Sequence, residues 1–252
     1  MEVTAATGGM FSVLADLVLP SRCAGCDMAP GSAGVCETCA AALTALVPYE
    51  TVPTPCPAGL PPCVTLGAYE GPLRRLVLAY KDGGRHRLAR PLAGPLARGV
   101  ATCARLLGRD HGAPIVLVPV PSSAAAARGR NGDHMRRLGR RVVGSLDRSG
   151  WPAALARPVT ARPRPDSAHL SALDRAALAT DAFQIRSSTA DRVAVAAAAG
   201  ACVIVIDDVL TTGATLASLT TRLASAGVAV QGAVTLAATV RRITPASPAV
   251  PS

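Results

Sequence analysis

Residues 202 to 215 constrain this chain more than any other stretch. Cys202-Val203-Ile204-Val205-Ile206 is an unbroken apolar run, the pattern of a strand buried on both faces, and it ends in Asp207-Asp208. Val209-Leu210-Thr211-Thr212-Gly213-Ala214-Thr215 follows. From Thr212 to Ala226 the pattern is helical and stops at Gly227, and Val228 to Leu236 reads as the next strand. Strand, helix and strand joined so tightly imply a right-handed crossover, hence a parallel sheet in an α/β fold.

The same stretch carries chemistry. A Thr- and Gly-containing loop at a helix N-terminus aims backbone N–H groups and hydroxyls at one spot, and the helix dipole favours negative charge there, which suits a phosphate dianion. Gly213 is expected to let the backbone approach that phosphate without a Cβ. The two acids just upstream are hydrogen-bond acceptors suited to a diol. One of them alone could be a helix cap. Two adjacent acids closing an apolar strand, followed by Thr-Thr-Gly-x-Thr, offer diol and phosphate contacts at about the separation found in a 5-phosphoribose.

A second signal lies near the N-terminus. Cys23-x-x-Cys26 and Cys36-x-x-Cys39 are two chelating pairs, the pattern of a tetrahedral structural zinc site that staples a module too small to fold alone. Redox Cys-x-x-Cys motifs usually come singly. Cys56 and Cys63 are either remnants of a second site or free thiols, and Cys103 and Cys202 lie in apolar patterns that bury them. Phe11, Leu14, Leu17 and Val18 have helical spacing ahead of the first pair, and six prolines between Pro48 and Pro62 read as a linker in which neither helix nor sheet propagates. The organisation read from this is a cysteine module with its linker over 1–62, an α/β domain over 63–240, and a disordered tail over 241–252.

Within the α/β domain, Val64 to Tyr69 reads as a strand, and Pro72 opens a helix with Leu73, Leu76, Val77 and Tyr80 on one face. Leu88 through Leu107 has the spacing of a second amphipathic helix, and Ile115 to Val120 that of a buried strand. Arg128 to Arg148 reads as loop then helix, Leu170 to Thr180 as a helix, and Ala182 to Ile185 as a short strand.

The formal charge is +10 (26 Lys and Arg against 16 Asp and Glu), which favours an anionic partner, although a single lysine among twenty-five arginines also fits a high-GC coding bias. No stretch has the length and apolarity of a membrane span or the layout of a secretory signal, so the cytoplasm is the expected compartment.

Residues 203 to 215 resemble the phosphoribosyl pyrophosphate signature of type I phosphoribosyltransferases. By that resemblance Asp207 and Asp208 hold the ribose hydroxyls as the catalytic acids, and the loop from Val209 and Leu210 through Thr211, Thr212, Gly213, Ala214 and Thr215 is the substrate-binding segment, its Thr and Gly cradling the 5-phosphate. Mg²⁺ would be bound chiefly by the ligand's pyrophosphate and ribose oxygens. The four-cysteine module, the Pro-rich linker and such a domain together resemble the ComF family, which is linked to DNA uptake in competence. Tyr69 through Lys81, Val118-Pro119-Val120-Pro121 and Arg175 through Phe183 agree with that family. The fold implied is a phosphoribosyltransferase-like parallel sheet flanked by helices, preceded by a zinc-ribbon-like module. Two places depart from the family: Arg128-Gly129-Arg130-Asn131-Gly132 stands where Arg-Gly-Phe-Asn-Gln is usual, and Asp166-Ser167 where a Gln is usual.

Two functions remain open at this level. One is a phosphoribosyltransferase with an unknown acceptor. The other is a non-catalytic accessory that senses phosphoribosyl pyrophosphate and binds single-stranded DNA or competence proteins through Arg128, Arg130, Arg136, Arg137, Arg140 and Arg141. Lys81 either contacts phosphate, by the resemblance, or is a solvated helix end. His86, His111, His134 and His169 form no ligand spacing and receive no role.

Overall fold

The computed structural model describes residues 22–129, 132–162 and 182–239. The helices expected around Phe11 to Val18 and over Leu170 to Thr180, the positions Arg130, Asn131, Asp166, Ser167, His169 and Arg175, and the tail lie outside the described residues.

Six strands form one sheet: β1 (Tyr49–Glu50), β2 (Cys63–Thr65), β3 (Ile115–Pro119), β4 (Ala153–Leu155), β7 (Cys202–Leu210) and β8 (Gly232–Ala238), in the spatial order β1-β2-β8-β7-β3-β4. All pairings are parallel except that of the edge strand β1 on β2. A separate antiparallel pair joins β5 (Val159–Ala161) to β6 (Phe183–Ile185). The chain is thus a mixed α/β protein with a mostly parallel sheet. β1 lies inside the stretch expected to hold no sheet: Tyr49 and Glu50 precede Pro53 and pair at the edge, where Pro-rich flanks leave the ladder undisturbed.

Helices cover both faces of the sheet. On one side pack α1 (Glu37–Ala45), α2 (Gly71–Lys81), α3 (Ala89–Leu106) and α5 (His134–Arg148), whose Leu76, Leu92, Leu96, Val100, Leu138 and Val142 share a core with Leu117, Ile204 and Val234. On the other side α6 (Ser187–Ala198) and α7 (Ala214–Ala224) place Val193, Leu216, Leu219 and Leu223 against Val116, Val203 and Val205. Alternate residues of β7 therefore feed two cores, which is why its apolar run is continuous rather than alternating. α4 (Ala124–Gly129) is a short surface helix with no buried residue.

The cysteine segment shares the first of these cores. Cys23, Ala24, Val35, Cys39 and Leu43 pack with Leu73, Leu76 and Val77, and Arg98 donates to the carbonyls of Leu43 and Thr44 (3.2 and 2.8 Å). Among the described residues no helix is long and apolar enough to cross a membrane.

Candidate functional site

Strand connectivity fixes where a cleft can open. From β3 the chain proceeds to β4 on one side, whereas β7, on the other side of β3, proceeds to β8 away from it. Adjacent parallel strands whose connections diverge leave a crevice beyond their carboxyl ends, where ligands of open α/β sheets bind. The register sharpens this. β3 accompanies β7 only as far as Pro119 opposite Ile206, closed by Val120 N–H donating to the Ile206 carbonyl (3.0 Å), while β8 accompanies it to Ala238 opposite Leu210. Asp207 and Asp208 thus sit within the strand, at the first residues whose β3 side is open. The expected strand ended at Ile206; it runs on to Leu210 because β8 continues to pair with it.

Here a cavity of about 280 Å³ is lined by Asp207, Asp208, Val209, Thr211 and Thr215 from β7 and its loop, by Pro121, Ser122 and Ser123 from the end of β3, and by Lys81 and His134. A neighbouring cavity of about 410 Å³ shares Val120, Pro121, Ser123 and Thr215 with it and extends to Arg128, Arg162 and Phe183. Of the residues read from the sequence, the structure brings both acids, Val209, Thr211 and Thr215 to one cavity. Thr212 and Ala214 are exposed on the same loop, and Leu210 is buried in the second core.

Gly213 has a packing reason of its own. Its φ of 75° lies in the left-handed region at the cap of α7, and a Cβ there would meet Leu60 and Pro53 at 3.1 Å. The missing side chain lets the Pro-rich segment pack under the loop. Thr212 Oγ1 accepts from the Ala214 N–H (3.4 Å), so the turn into α7 is held by its own side chain.

The two acids have unlike surroundings. Asp208 is buried, and both its oxygens are engaged: Lys81 Nζ lies 2.9 Å from Oδ2 and 3.2 Å from Oδ1, and His134 Nε2 lies 2.9 Å from Oδ2. Burial alone would raise its pKa, but the hydrogen bond from His134 and the charge of Lys81 outweigh that and hold it below the usual carboxylate range. Asp207 is half-buried and its Oδ1 accepts the Asp208 N–H at 2.8 Å. Burial and the adjacent Asp208 charge push its carboxyl up to about 7. Lys81, although partly desolvated, is raised by Asp208 and Asp207 and stays charged.

His134 and Ser122 are the site residues that motif reading passed over. His134 is the first residue of α5, capped by Asp133, whose carboxylate accepts the Arg136 N–H at 3.0 Å. Because an ionised Asp208 can only accept, His134 Nε2 carries the hydrogen, and Nδ1 faces Ser122 Oγ at 3.3 Å. The Tyr80 hydroxyl donates to the His134 carbonyl at 2.6 Å, with the rings edge to face. Only a missing role for a histidine two residues beyond Gly132 hinted at this, since residues 81, 134 and 208 share no sequence spacing.

The four cysteines also converge. Their Sγ atoms all lie within 4.8 Å of one another, and Cys26 and Cys36 sulfurs are 3.5 Å apart. Four thiolates around zinc, at about 2.3 Å each in a tetrahedron, have comparable sulfur separations, so the cluster fits structural zinc. Cys23 Sγ accepts from the Gly25 and Cys36 N–H groups (3.4 and 3.3 Å), and Cys36 Sγ from Cys39 N–H (3.5 Å). Burial pushes the Cys23 thiol up, yet the N–H groups of Cys36, Cys26 and Gly25 prevail and bring it down to about 6, while burial and the neighbouring thiols push Cys39 up. A Cβ on Gly25 would stand 2.8 Å from Cys39 Sγ, so glycine is what lets the first pair close on the second. Among the described residues this is the one such cluster of His, Cys, Asp and Glu. Of the other thiols, Cys63, Cys103 and Cys202 are buried and Cys56 is exposed. Burial pushes Cys63 and Cys103 each up to about 12, which makes them inert.

The chain matches no protein-family model and no curated protein.

Proposed function

We propose that this protein binds phosphoribosyl pyrophosphate in the cleft at the end of β7 and is a ComF-like, phosphoribosyltransferase-type enzyme acting on an acceptor that enters from the adjoining cavity. The observation that carries this reading is the joint placement of an acid pair, a Thr-rich loop at the start of α7 and a lone lysine around one cavity at the divergence of β3 and β7. The loop and the N-terminus of α7 supply donors for the 5-phosphate, and the acid pair supplies acceptors for the sugar. Mg²⁺ belongs to this reading as an ion brought by the ligand's own oxygens, where it would neutralise the departing diphosphate. Zinc, in the same reading, holds the cysteine module closed and takes no part in the reaction.

The chemistry is a displacement at the anomeric carbon. The C1–O bond to pyrophosphate breaks with its electron pair leaving on pyrophosphate, an oxocarbenium-like centre develops, and the acceptor's lone pair forms the new bond while its proton departs to solvent or a nearby base. The chain's contribution is to hold both partners in line and to stabilise charge. The test is pyrophosphate release from phosphoribosyl pyrophosphate and Mg²⁺ with a panel of nucleobases and small amines. Saturable binding and acceptor-dependent release support the reading. Saturable binding without turnover on any acceptor removes the enzymatic half, and absence of binding removes all of it.

One observation favours the accessory reading alongside. Arg157 is brought below its ordinary pKa, first by burial and then by Arg136, Arg186 and Arg140, with Asp133 opposing them (Arg157 to Asp133, 3.6 Å). Arginines whose charges act on one another in this way make an electropositive surface, which suits a polyanion. Affinity for single-stranded DNA should fall steeply with salt, and replacing Arg140 and Arg141 should flatten the slope. Salt-insensitive binding would exclude it.

A further inference from the structure

The resemblance assigns the ribose diol to both acids alike, but their surroundings are not alike. Asp208 has a side chain only 4% exposed and three close contacts on its two oxygens, from Lys81 and His134. To accept a sugar hydroxyl it would have to share oxygens already engaged by the Lys81 ammonium and the His134 imidazole, which weakens those contacts. Asp207, which lines the same cavity as Asp208, has one oxygen committed to the Asp208 N–H, and its other oxygen accepts no hydrogen bond among the described residues.

The two groups that Asp208 holds come from two distant elements. Lys81 ends α2 and His134 begins α5, and the two helices are further tied by the Tyr80 hydroxyl on the His134 carbonyl. The result is a closed ring, Tyr80–His134–Asp208–Lys81, that bridges α2, α5 and β7. Lys81 keeps a third of its side chain exposed, toward the cavity, whereas His134 is buried. A long flexible ammonium is thereby pinned at one point beside the sugar-binding acid. The ammonium is a compact charge with three donors, and Asp208 occupies one side of it, leaving the cavity side for an anion.

We infer that the acid pair divides its work: Asp207 alone takes the ribose hydroxyls, while Asp208 and His134 are positioning residues that fix Lys81 as the receptor for the diphosphate of the ligand. This rests on the phosphoribosyl reading of the cleft. His134 is new to that machinery. Its imidazole presents one N–H to Asp208 and one lone pair to Ser122, so it sets both the carboxylate's orientation and the direction of a hydroxyl that also lines the cavity.

Lys81 is the only lysine of the chain, so selective ¹³C,¹⁵N-lysine labelling yields one side-chain signal that reports on the ring directly. The experiment follows that signal through a pH titration, and measures affinities for magnesium pyrophosphate and for ribose 5-phosphate, in the wild type, Asp207→Asn, Asp208→Asn, His134→Gln and His134→Leu. Asp208→Asn should lower the Lys81 midpoint and weaken pyrophosphate at least tenfold while ribose 5-phosphate changes less than threefold. Asp207→Asn should do the reverse, weakening ribose 5-phosphate at least tenfold with pyrophosphate within twofold. His134→Leu should shift the Lys81 signal and weaken pyrophosphate several-fold, and His134→Gln, which keeps a donor toward Asp208, should recover most of it. Should Asp208→Asn misfold, the two His134 variants carry the same comparison. Equal loss of both ligands in both Asp variants, or a Lys81 titration indifferent to Asp208 and His134, overturns the division of work. Failure of the wild type to bind either ligand overturns the phosphoribosyl reading and this inference together, and binding without partition overturns this inference alone.

Discussion

The cysteine cluster and the β7 cleft are both convergent sites, built in opposite ways. The cysteines come from a single short segment, residues 23 to 39, and their spacing alone states the geometry: two x-x pairs, one turn each, closed by N–H groups two or three residues away. The cleft takes Lys81 from α2, Ser122 from beyond β3, His134 from α5 and the acids from β7, and sheet topology brings them together. A local site is written in spacing, whereas a topological site is written only in part, at the strand whose end it occupies.

The largest expected effect tests the local side of that contrast. Structural zinc contributes roughly 10–16 kcal/mol in small metallo-peptides at neutral pH. The purified protein should therefore carry one equivalent of zinc by elemental analysis, and Cys39→Ser or a strong chelator should remove it and lower the melting temperature markedly. A metal-free protein of unchanged stability would show that the cysteines are merely packed with Leu43 and Leu76.

Next come the two acids. Asp208→Ala leaves His134 and Lys81 facing an empty buried position and should cost about 3–5 kcal/mol in denaturant unfolding. Asp207→Ala removes a desolvated carboxyl next to another and should cost less than about 1 kcal/mol, or stabilise slightly. Equal costs would erase the asymmetry on which the cleft's description depends.

Gly213→Ala should destabilise by about 1–3 kcal/mol, since it combines an unfavourable left-handed φ with a Cβ against Leu60 and Pro53. The loss should show in unfolding even without ligand. A variant as stable as wild type would show that the approach of Leu60 and Pro53 does not require a glycine there.

A further effect is in the pH dependence of stability. Asp207 is raised from 3.8 to about 7, so the folded chain binds that proton more tightly than the unfolded chain does. Its contribution therefore makes stability fall as pH rises between those values. Asp208 is lowered, so its contribution is present above its ordinary value and disappears as pH falls through the folded one. Melting temperatures of Asp207→Asn across this window should rise relative to wild type as pH increases. A constant difference would place Asp207 in water.

Much of the fold was legible because its signals are local and strong. Pro72 with Leu73, Leu76, Val77 and Tyr80 marks α2, and the β-branched run marks β7. α6 was missed because Ser187 to Ala198 is rich in alanine and carries only Ala190 and Val193 as buried positions, too few to show a period. β4, three residues long, is held by pairing with β3 rather than by any propensity of Ala153 and Ala154. At the site, the acid pair and loop were readable from residue chemistry, and Lys81 only through a resemblance. His134 was not readable, because its role depends on a fold that places residue 134 beside residue 208.

The central claim is that the cleft at the end of β7 takes a phosphoribosyl group, and isothermal titration with phosphoribosyl pyrophosphate and Mg²⁺ tests it most directly. The account predicts saturable one-to-one binding that Asp207→Asn and Thr211→Ala each weaken while Cys56→Ser leaves it unchanged. Absence of binding at millimolar ligand, or binding that the first two variants leave intact, would contradict it.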